Sequence, residues 1–159
     1  MIAKTNKYLP LLLVLLAVLA SCGRDVVFSG SAVMEKNTWD LMNKVSFEIP
    51  VNDTVNSNNI LFTIRTGNSY PFRNIYLFVT TYSPDGKTVG DTIQYYLADE
   101  KGEWYGKGFG DIKELNLPYK SNVYFPRKGT YRITVQHGMR TEELKGVYDF
   151  GLKVVRISK

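Results

Sequence analysis

TYRITVQH, residues 130–137, decides the fold class. Tyr131, Ile133 and Val135 point one way along an extended chain, and Arg132, Thr134 and Gln136 point the other. That two-residue period is the mark of a strand with one buried face. Val45, Phe47 and Ile49 alternate with Ser46 and Glu48 in the same manner. Ile60 to Arg65 and Ile75 to Tyr82 read as strands apolar on both faces or nearly so, hence central. Phe150 to Ile157 reads as a further strand.

Turn chemistry separates these runs. Val51 to Asn59 is rich in Asn, Asp and Ser after Pro50, and Ser83-Pro84-Asp85-Gly86 has Pro second and Gly fourth, as a type I turn prefers. Pro126 to Gly129 is another turn. Thr141 to Leu144 reads as one helical turn ended by Gly146. Short strands at this spacing imply a single antiparallel β-sandwich, jelly-roll or immunoglobulin-like. Aromatics at 13%, with 11 Tyr and 8 Phe, fit pleated surfaces. Apolar content of 44% and charged content of 22% are those of a globular chain.

The amino terminus reads as a leader. Lys4 and Lys7 precede an apolar run from Leu9 to Ala20, broken only by Pro10. As a helix it covers roughly 18 Å, short of the ~30 Å hydrocarbon core, so it suits a signal peptide better than a spanning anchor. Leu19-Ala20-Ser21-Cys22 closes it with small residues before the chain's single cysteine. This stretch resembles the lipobox of bacterial lipoproteins. The resemblance implies cleavage after Ser21 and acylation of Cys22, which would tether the chain to the bilayer through two or more acyl chains. The expected organisation is a signal peptide at 1–21, a lipidated N-terminus and tether at 22–38, and a β-sandwich domain at 39–159. No acidic run follows Cys22; such a run resembles a surface-export signal of some bacterial lipoproteins, so its absence favours a periplasm-facing position, and the expected location is the outer membrane.

The segment Gly102 to Tyr119 alternates poorly and sets Trp104, Tyr105 and Phe109 among Gly102, Gly106, Gly108 and Gly110. It is expected to wrap the sandwich as a long loop, and long loops in compact domains are often functional. Two readings stand side by side. In one, Trp104 and Phe109 plug an open end of the sandwich. In the other, Tyr105, Phe109 and Tyr119 form a partner surface, with Trp104 its buried root.

Candidate chemistry is sparse. His137 is the lone histidine, ends the 130–137 strand in phase with its apolar face, and is expected to be satisfied by a hydrogen bond. A zinc site needs more His or Cys than the mature chain offers, and Asp85 to Asp91 lacks the dense oxygen ligands of a calcium loop. No G-x-S-x-G, G-x-G-x-x-G or Walker pattern occurs, so neither catalytic residues nor a cofactor are expected. Glu142 and Glu143 are adjacent and cannot face one another on one strand face; Asp99 and Glu103 are read as solvated loop carboxylates. The formal charge of +5 includes Lys4 and Lys7 of the leader, and Arg127-Lys128 is the longest basic run, so nucleic acid is not an expected partner.

The order of later motifs carries a family resemblance. Tyr70-Pro71-Phe72, Pro84-Asp85-Gly86, Leu97-Ala98-Asp99, Gly102-Glu103-Trp104 and Gly110-Asp111-Ile112 are followed by Tyr119-Lys120, Phe125-Pro126, Gly129-Thr130-Tyr131, Gln136-His137-Gly138-Met139-Arg140 and Leu144-Lys145-Gly146-Val147. Together with the lipobox, this resembles the gliding-motility lipoprotein GldH family over nearly the whole mature chain. The resemblance implies a non-enzymatic envelope lipoprotein, tied to gliding motility and its secretion apparatus and acting through other envelope proteins. Asp53-Thr54-Val55 and Asp91-Thr92-Ile93 are similar to the short periplasmic O-glycosylation pattern of the same bacterial group, with Thr54 the better acceptor. A membrane-tethered glycan-binding module is the alternative, because sugar C–H faces stack on rings such as Trp104 and Tyr105.

Overall fold

Burial follows a two-residue period wherever apolar and polar side chains alternate. The structure, a computed structural model, describes residues 25–157. In chain order the strands are β1 (Val26–Val33), β2 (Thr38–Asp40), β3 (Val45–Val51), β4 (Asn58–Thr66), β5 (Asn74–Tyr82), β6 (Thr88–Tyr96), β7 (Lys113–Val123), β8 (Gly129–His137), β9 (Glu143–Lys145) and β10 (Val147–Arg156). Strand β8 realises the deciding stretch: Tyr131, Ile133 and Val135 are buried and Arg132 is exposed.

Two four-stranded antiparallel sheets form, in the orders β1-β10-β4-β7 and β3-β8-β5-β6. Setting aside the β2–β9 ribbon, successive strands are dealt between the sheets in the order of a jelly roll, which selects that topology over the immunoglobulin-like one. Phe62, Ile64, Phe150 and Leu152 of the first sheet meet Phe47, Ile49, Leu77 and Ile133 of the second in one core. Each such side chain contributes about 1.5–3 kcal/mol by leaving water.

The structure departs from the sequence reading at several points. The tether expected to run to residue 38 ends earlier: Val26–Val33 is strand β1, paired with β10. Its inward side chains are Phe28, Gly30 and Ala32, and a register shift lies between Val26 and Phe28, so little apolar alternation shows. The loop expected at Gly102–Tyr119 stops at Ile112, because Lys113–Val123 is β7. The Thr141–Leu144 helical turn is instead the approach to β9, which pairs with β2. Strands β4 and β5 are central as expected, but Tyr76 and Phe78 on the outward face of β5 stay exposed.

Trp39, from the β2–β9 ribbon, fills the core end. It is fully buried, packs 4.9 Å from Phe150 between ring centroids, and donates its Nε1 hydrogen to the Asn43 carbonyl at 2.8 Å. Trp104 is only half-buried and meets Tyr70 edge-on at 6.0 Å. His137 is fully buried against Trp39, with centroids 5.7 Å apart. Its expected hydrogen bond is not formed: neither ring nitrogen meets a partner in good geometry among the described residues, although the Trp39 backbone lies close enough to favour the charged form slightly. Burial dominates and pushes the His137 pKa below 6.5.

Two outcomes follow from this core. Trp39→Ala should destabilise the domain by about 3–5 kcal/mol, and Trp104→Ala by roughly half of that, as read from urea unfolding of each variant. For His137, the unfolded chain binds a proton more readily than the folded one. Its contribution is therefore fully present above the ordinary value near 6.5 and is lost as pH falls below it. Urea midpoints measured from pH 7.5 to pH 5 should drop in the native chain and drop less in His137→Phe; parallel curves would refute the assignment.

Candidate functional site

The glycine-rich segment between β6 and β7 is a tight two-tier hairpin. In the lower tier, Tyr105 N–H donates to the Leu97 carbonyl at 2.9 Å, and the Asp99 Oδ1 atom accepts the Lys101 and Glu103 amides at 2.8 Å each. Asp99 thus builds the turn with its carboxylate, and Glu103 joins it through its backbone. In the upper tier, Lys107 and Glu114 exchange both backbone bonds, at 3.0 and 2.8 Å. Closure there requires glycine. A Cβ at Gly108 would lie 1.9 Å from the Ile112 carbonyl oxygen, and one at Gly106 would lie 2.2 Å from a Leu115 methyl. Between them and Gly110, at φ +63, the tip residue Phe109 stands 101% exposed, and Tyr105 below it is 61% exposed.

Tyr105 and Phe109 border one groove of about 860 Å³ on the outer side of the first sheet. Arg65 of β4 with Glu114 and Asn116 of β7 supply its polar wall. Asn116 accepts a hydrogen bond from the Thr63 hydroxyl at 3.2 Å. Arg65 is fixed by a second interaction: its Nε and Nη2 groups both reach Asp149 Oδ2, across the β4–β10 register. Asp149 is buried, and its hydrogen bond and charge hold the Arg65 guanidinium in the protonated state. A smaller groove of about 320 Å³ continues past Arg65 and Glu114 over Ser29, Ser31 and Gly151. Asp149, one of two charged residues in the largely apolar run from Val147 to Val155, was the sequence signal for this anchored arginine.

Tyr119 does not join this surface. On β7 it points inward with Leu115 and Leu117, stacks on Phe62 at 4.8 Å, and donates its hydroxyl to Asp91 at 2.7 Å. It borders instead a cleft of about 210 Å³ between the sheet edges. Of the three residues expected to form a partner surface, the structure brings two together.

The remaining candidates are scattered. Thr54 sits half-exposed on a turn built by Asp53, whose carboxylate accepts the Val55 and Asn56 amides and the Asn56 side chain. Those bonds, the Asn56 side chain first, bring the Asp53 pKa down to about 2. Thr92 is exposed on β6, in register with Phe78. An enzyme built on the lone histidine would need a cleft collecting His137 with Asp111 or Asp149; here Asp111 accepts from Asn68, Asp149 pairs with Arg65, and His137 is enclosed beside Trp39, so the three occupy separate environments. Among the described residues, no three His, Cys, Asp or Glu side chains gather in metal-ligand geometry. The leader, residues 1–21, and Cys22 lie outside the described residues.

Several known proteins are similar to this chain. A family model described as GldH lipoprotein matches residues 26–154. The Gliding motility lipoprotein GldH of Flavobacterium johnsoniae is 35% identical over 156 residues, covering 91% of this chain and 93% of that one. The Gliding motility lipoprotein GldH homolog of Christiangramia forsetii is 32% identical over 142 residues, covering 85% and 86%. A solved Family 16 Carbohydrate Binding Module-2 is similar over 76% of this chain and 74% of its own, at 10% identity and a TM-score of 0.31. The chain belongs to the GldH lipoprotein family.

Proposed function

We propose that this chain is a non-enzymatic lipoprotein of the gliding-motility and secretion machinery, held on the membrane by acylated Cys22 and acting through contacts with other envelope proteins. Membership of a lipoprotein family supports the anchoring. The observation that carries the protein-contact reading is the Gly106–Gly110 hairpin, which holds Phe109 and Tyr105 in solvent on a fixed base. Aromatic rings presented from a rigid scaffold are the side chains that dominate interface energetics. The anchor sits on the outer membrane and faces the periplasm in this reading, and β1 begins at Val26, leaving a short tether after Cys22. Thr54, on its exposed turn, is the proposed glycan acceptor; Thr92 is the weaker one.

A second reading, a membrane-tethered glycan-binding module, is favoured by one specific feature. Tyr105 and Phe109 flank the same groove, with Arg65, Glu114 and Asn116 along its wall, an arrangement in which a sugar ring could stack and hydrogen-bond at once.

Cys22→Ala should leave a precursor that keeps its leader, takes up no labelled fatty acid and is released from membranes. Full processing and membrane retention of that variant would defeat the lipoprotein assignment. For the surface, the Tyr105→Ala, Phe109→Ala double variant should lose its cross-links to envelope proteins in living cells. Its urea midpoint should shift by less than about 0.5 kcal/mol equivalent, because neither ring is buried. Unchanged cross-links, together with loss of binding to soluble envelope oligosaccharides, would select the glycan-binding reading instead.

A further inference from the structure

Open sheets end in edges whose free N–H and C=O groups are templates for another strand, and proteins blunt such edges with proline, lysine or bulges. Three of the four sheet edges here are blunted. Strand β1 is bulged between Val26 and Phe28; β3 carries Pro50 and Glu48; β7 carries Pro118, the charged residues Lys113, Glu114 and Lys120, and two register shifts. Strand β6 has no proline, lysine or bulge, and its one charged residue, Asp91, is turned inward and already paired with Lys120 and Tyr119. Its nine residues, TVGDTIQYY, pair with β5 in one unbroken register from Asn74↔Tyr96 to Tyr82↔Thr88.

The bonding phase shows which groups are left over. Ser83 N–H donates to the Lys87 carbonyl and Leu97 N–H to the Arg73 carbonyl, at either end of this register. In an antiparallel pair, bonded and non-bonded residues alternate. Val89, Asp91, Ile93 and Tyr95 therefore bond to β5, and Thr88, Gly90, Thr92, Gln94 and Tyr96 turn their backbone groups outward. Those five residues are exposed, and a Cβ at Gly90 would meet nothing within 4 Å. Among the described residues no other backbone group is bonded to them.

We infer that β6 is the site at which a second copy of this chain adds edge to edge, joining the two β3-β8-β5-β6 sheets antiparallel across a two-fold axis at Thr92. The strand is self-complementary in that register. It is the one register that pairs all nine residues, and it sets outward-bonding residues opposite one another, Gly90 to Gln94 and Thr88 to Tyr96, as hydrogen bonding requires. On the core-facing side it sets Val89 against Tyr95, a β-branched–aromatic pair, and Asp91 against Ile93. The single charge is thus kept from its symmetry mate. It is also balanced within its own chain by Lys120 at 3.0 Å and by the Tyr119 hydroxyl.

The test uses the full-length chain. In its own membranes, Thr92→Cys treated with a short bis-maleimide should yield a cross-linked dimer, since paired Cα atoms across such an axis lie about 5.5 Å apart. Ser46→Cys, on the opposite edge of the same sheet, should yield at most background, as should the native chain. Purified in detergent, the native chain should sediment as a dimer and Thr92→Pro as a monomer with near-native thermal stability, because proline is tolerated where an edge N–H faces away. A monomeric native chain, or equal cross-linking of Thr92→Cys and Ser46→Cys, would overturn the inference. Cross-linking of the Thr92→Cys variant to a different protein alone would also overturn it, by showing that the edge takes another chain's strand.

Discussion

The sandwich depends on the packing of Phe150 between Trp39 and Phe62. Ring centroids lie 4.9 Å apart on one side and 5.2 Å on the other, and the line extends to His137 beyond Trp39 and to Tyr119 beyond Phe62. It begins on β8 of one sheet, passes through the β2–β9 ribbon, and crosses β10, β4 and β7 of the other. Phe150 sits on the last strand of the chain, and β1 reaches the rest of its sheet only through β10. The first and last strands must therefore meet before that sheet is complete. Such long-range pairing makes folding slow relative to local topologies.

The two open sides of the sandwich are closed by different physics. On one side, β1 and β3 meet through Phe28 and Phe47, edge to face at 6.2 Å. On the other, β6 and β7 are joined by polar bonds. Asp91 accepts from Tyr119 and pairs with Lys120, and the Tyr95 hydroxyl donates to the Pro118 carbonyl at 2.7 Å. The Tyr119 bond and then Lys120 lower the Asp91 pKa, so the carboxylate stays charged and this seam holds above the ordinary carboxylate range, weakening only as acid protonates it. Because β7 leads directly from the glycine-rich hairpin, the same seam fixes the hairpin's base.

Sequence legibility followed the strength of alternation. Strands β3 and β8 were readable from alternation, and β4, β5 and β10 from runs dense in large apolar residues. Strand β1 was not, because Gly30 and Ala32 occupy its inward positions. Strand β7 did carry a signal, Leu115, Leu117 and Tyr119, which the neighbouring glycines and Pro118 obscured. Thr141–Leu144 failed as a helix because a ribbon with Thr38–Asp40, far upstream in the chain, satisfies its backbone instead. Of the expected surface, exposed Phe109 and Tyr105 were legible from their glycine neighbours. The inward turn of Tyr119 follows from the strand phase that those glycines hid.

An exposed aromatic ring alone means little, since folded proteins leave much apolar surface in water. The Phe109 site differs in how its backbone is constrained. Glycine loses more conformational freedom on folding than any other residue, yet Gly106 and Gly108 occupy positions where the opposing backbone of Glu114 and Ile112 admits no side chain. Gly110 adds the positive φ that turns the chain back. A looser connection from Ala98 to Lys113 would not need these glycines. The tight closure brings the two backbones together below Phe109, which stands fully exposed at the tip. The tip is thereby held in solvent by the same contacts that make the hairpin stiff, beside an arginine fixed by buried Asp149. Rigidity below and exposure above are the combination that lets a ring bind a partner with little ordering cost. They are the features on which the proposed envelope-protein contact at the hairpin and its groove rests, and the enclosed surroundings of His137 offer neither.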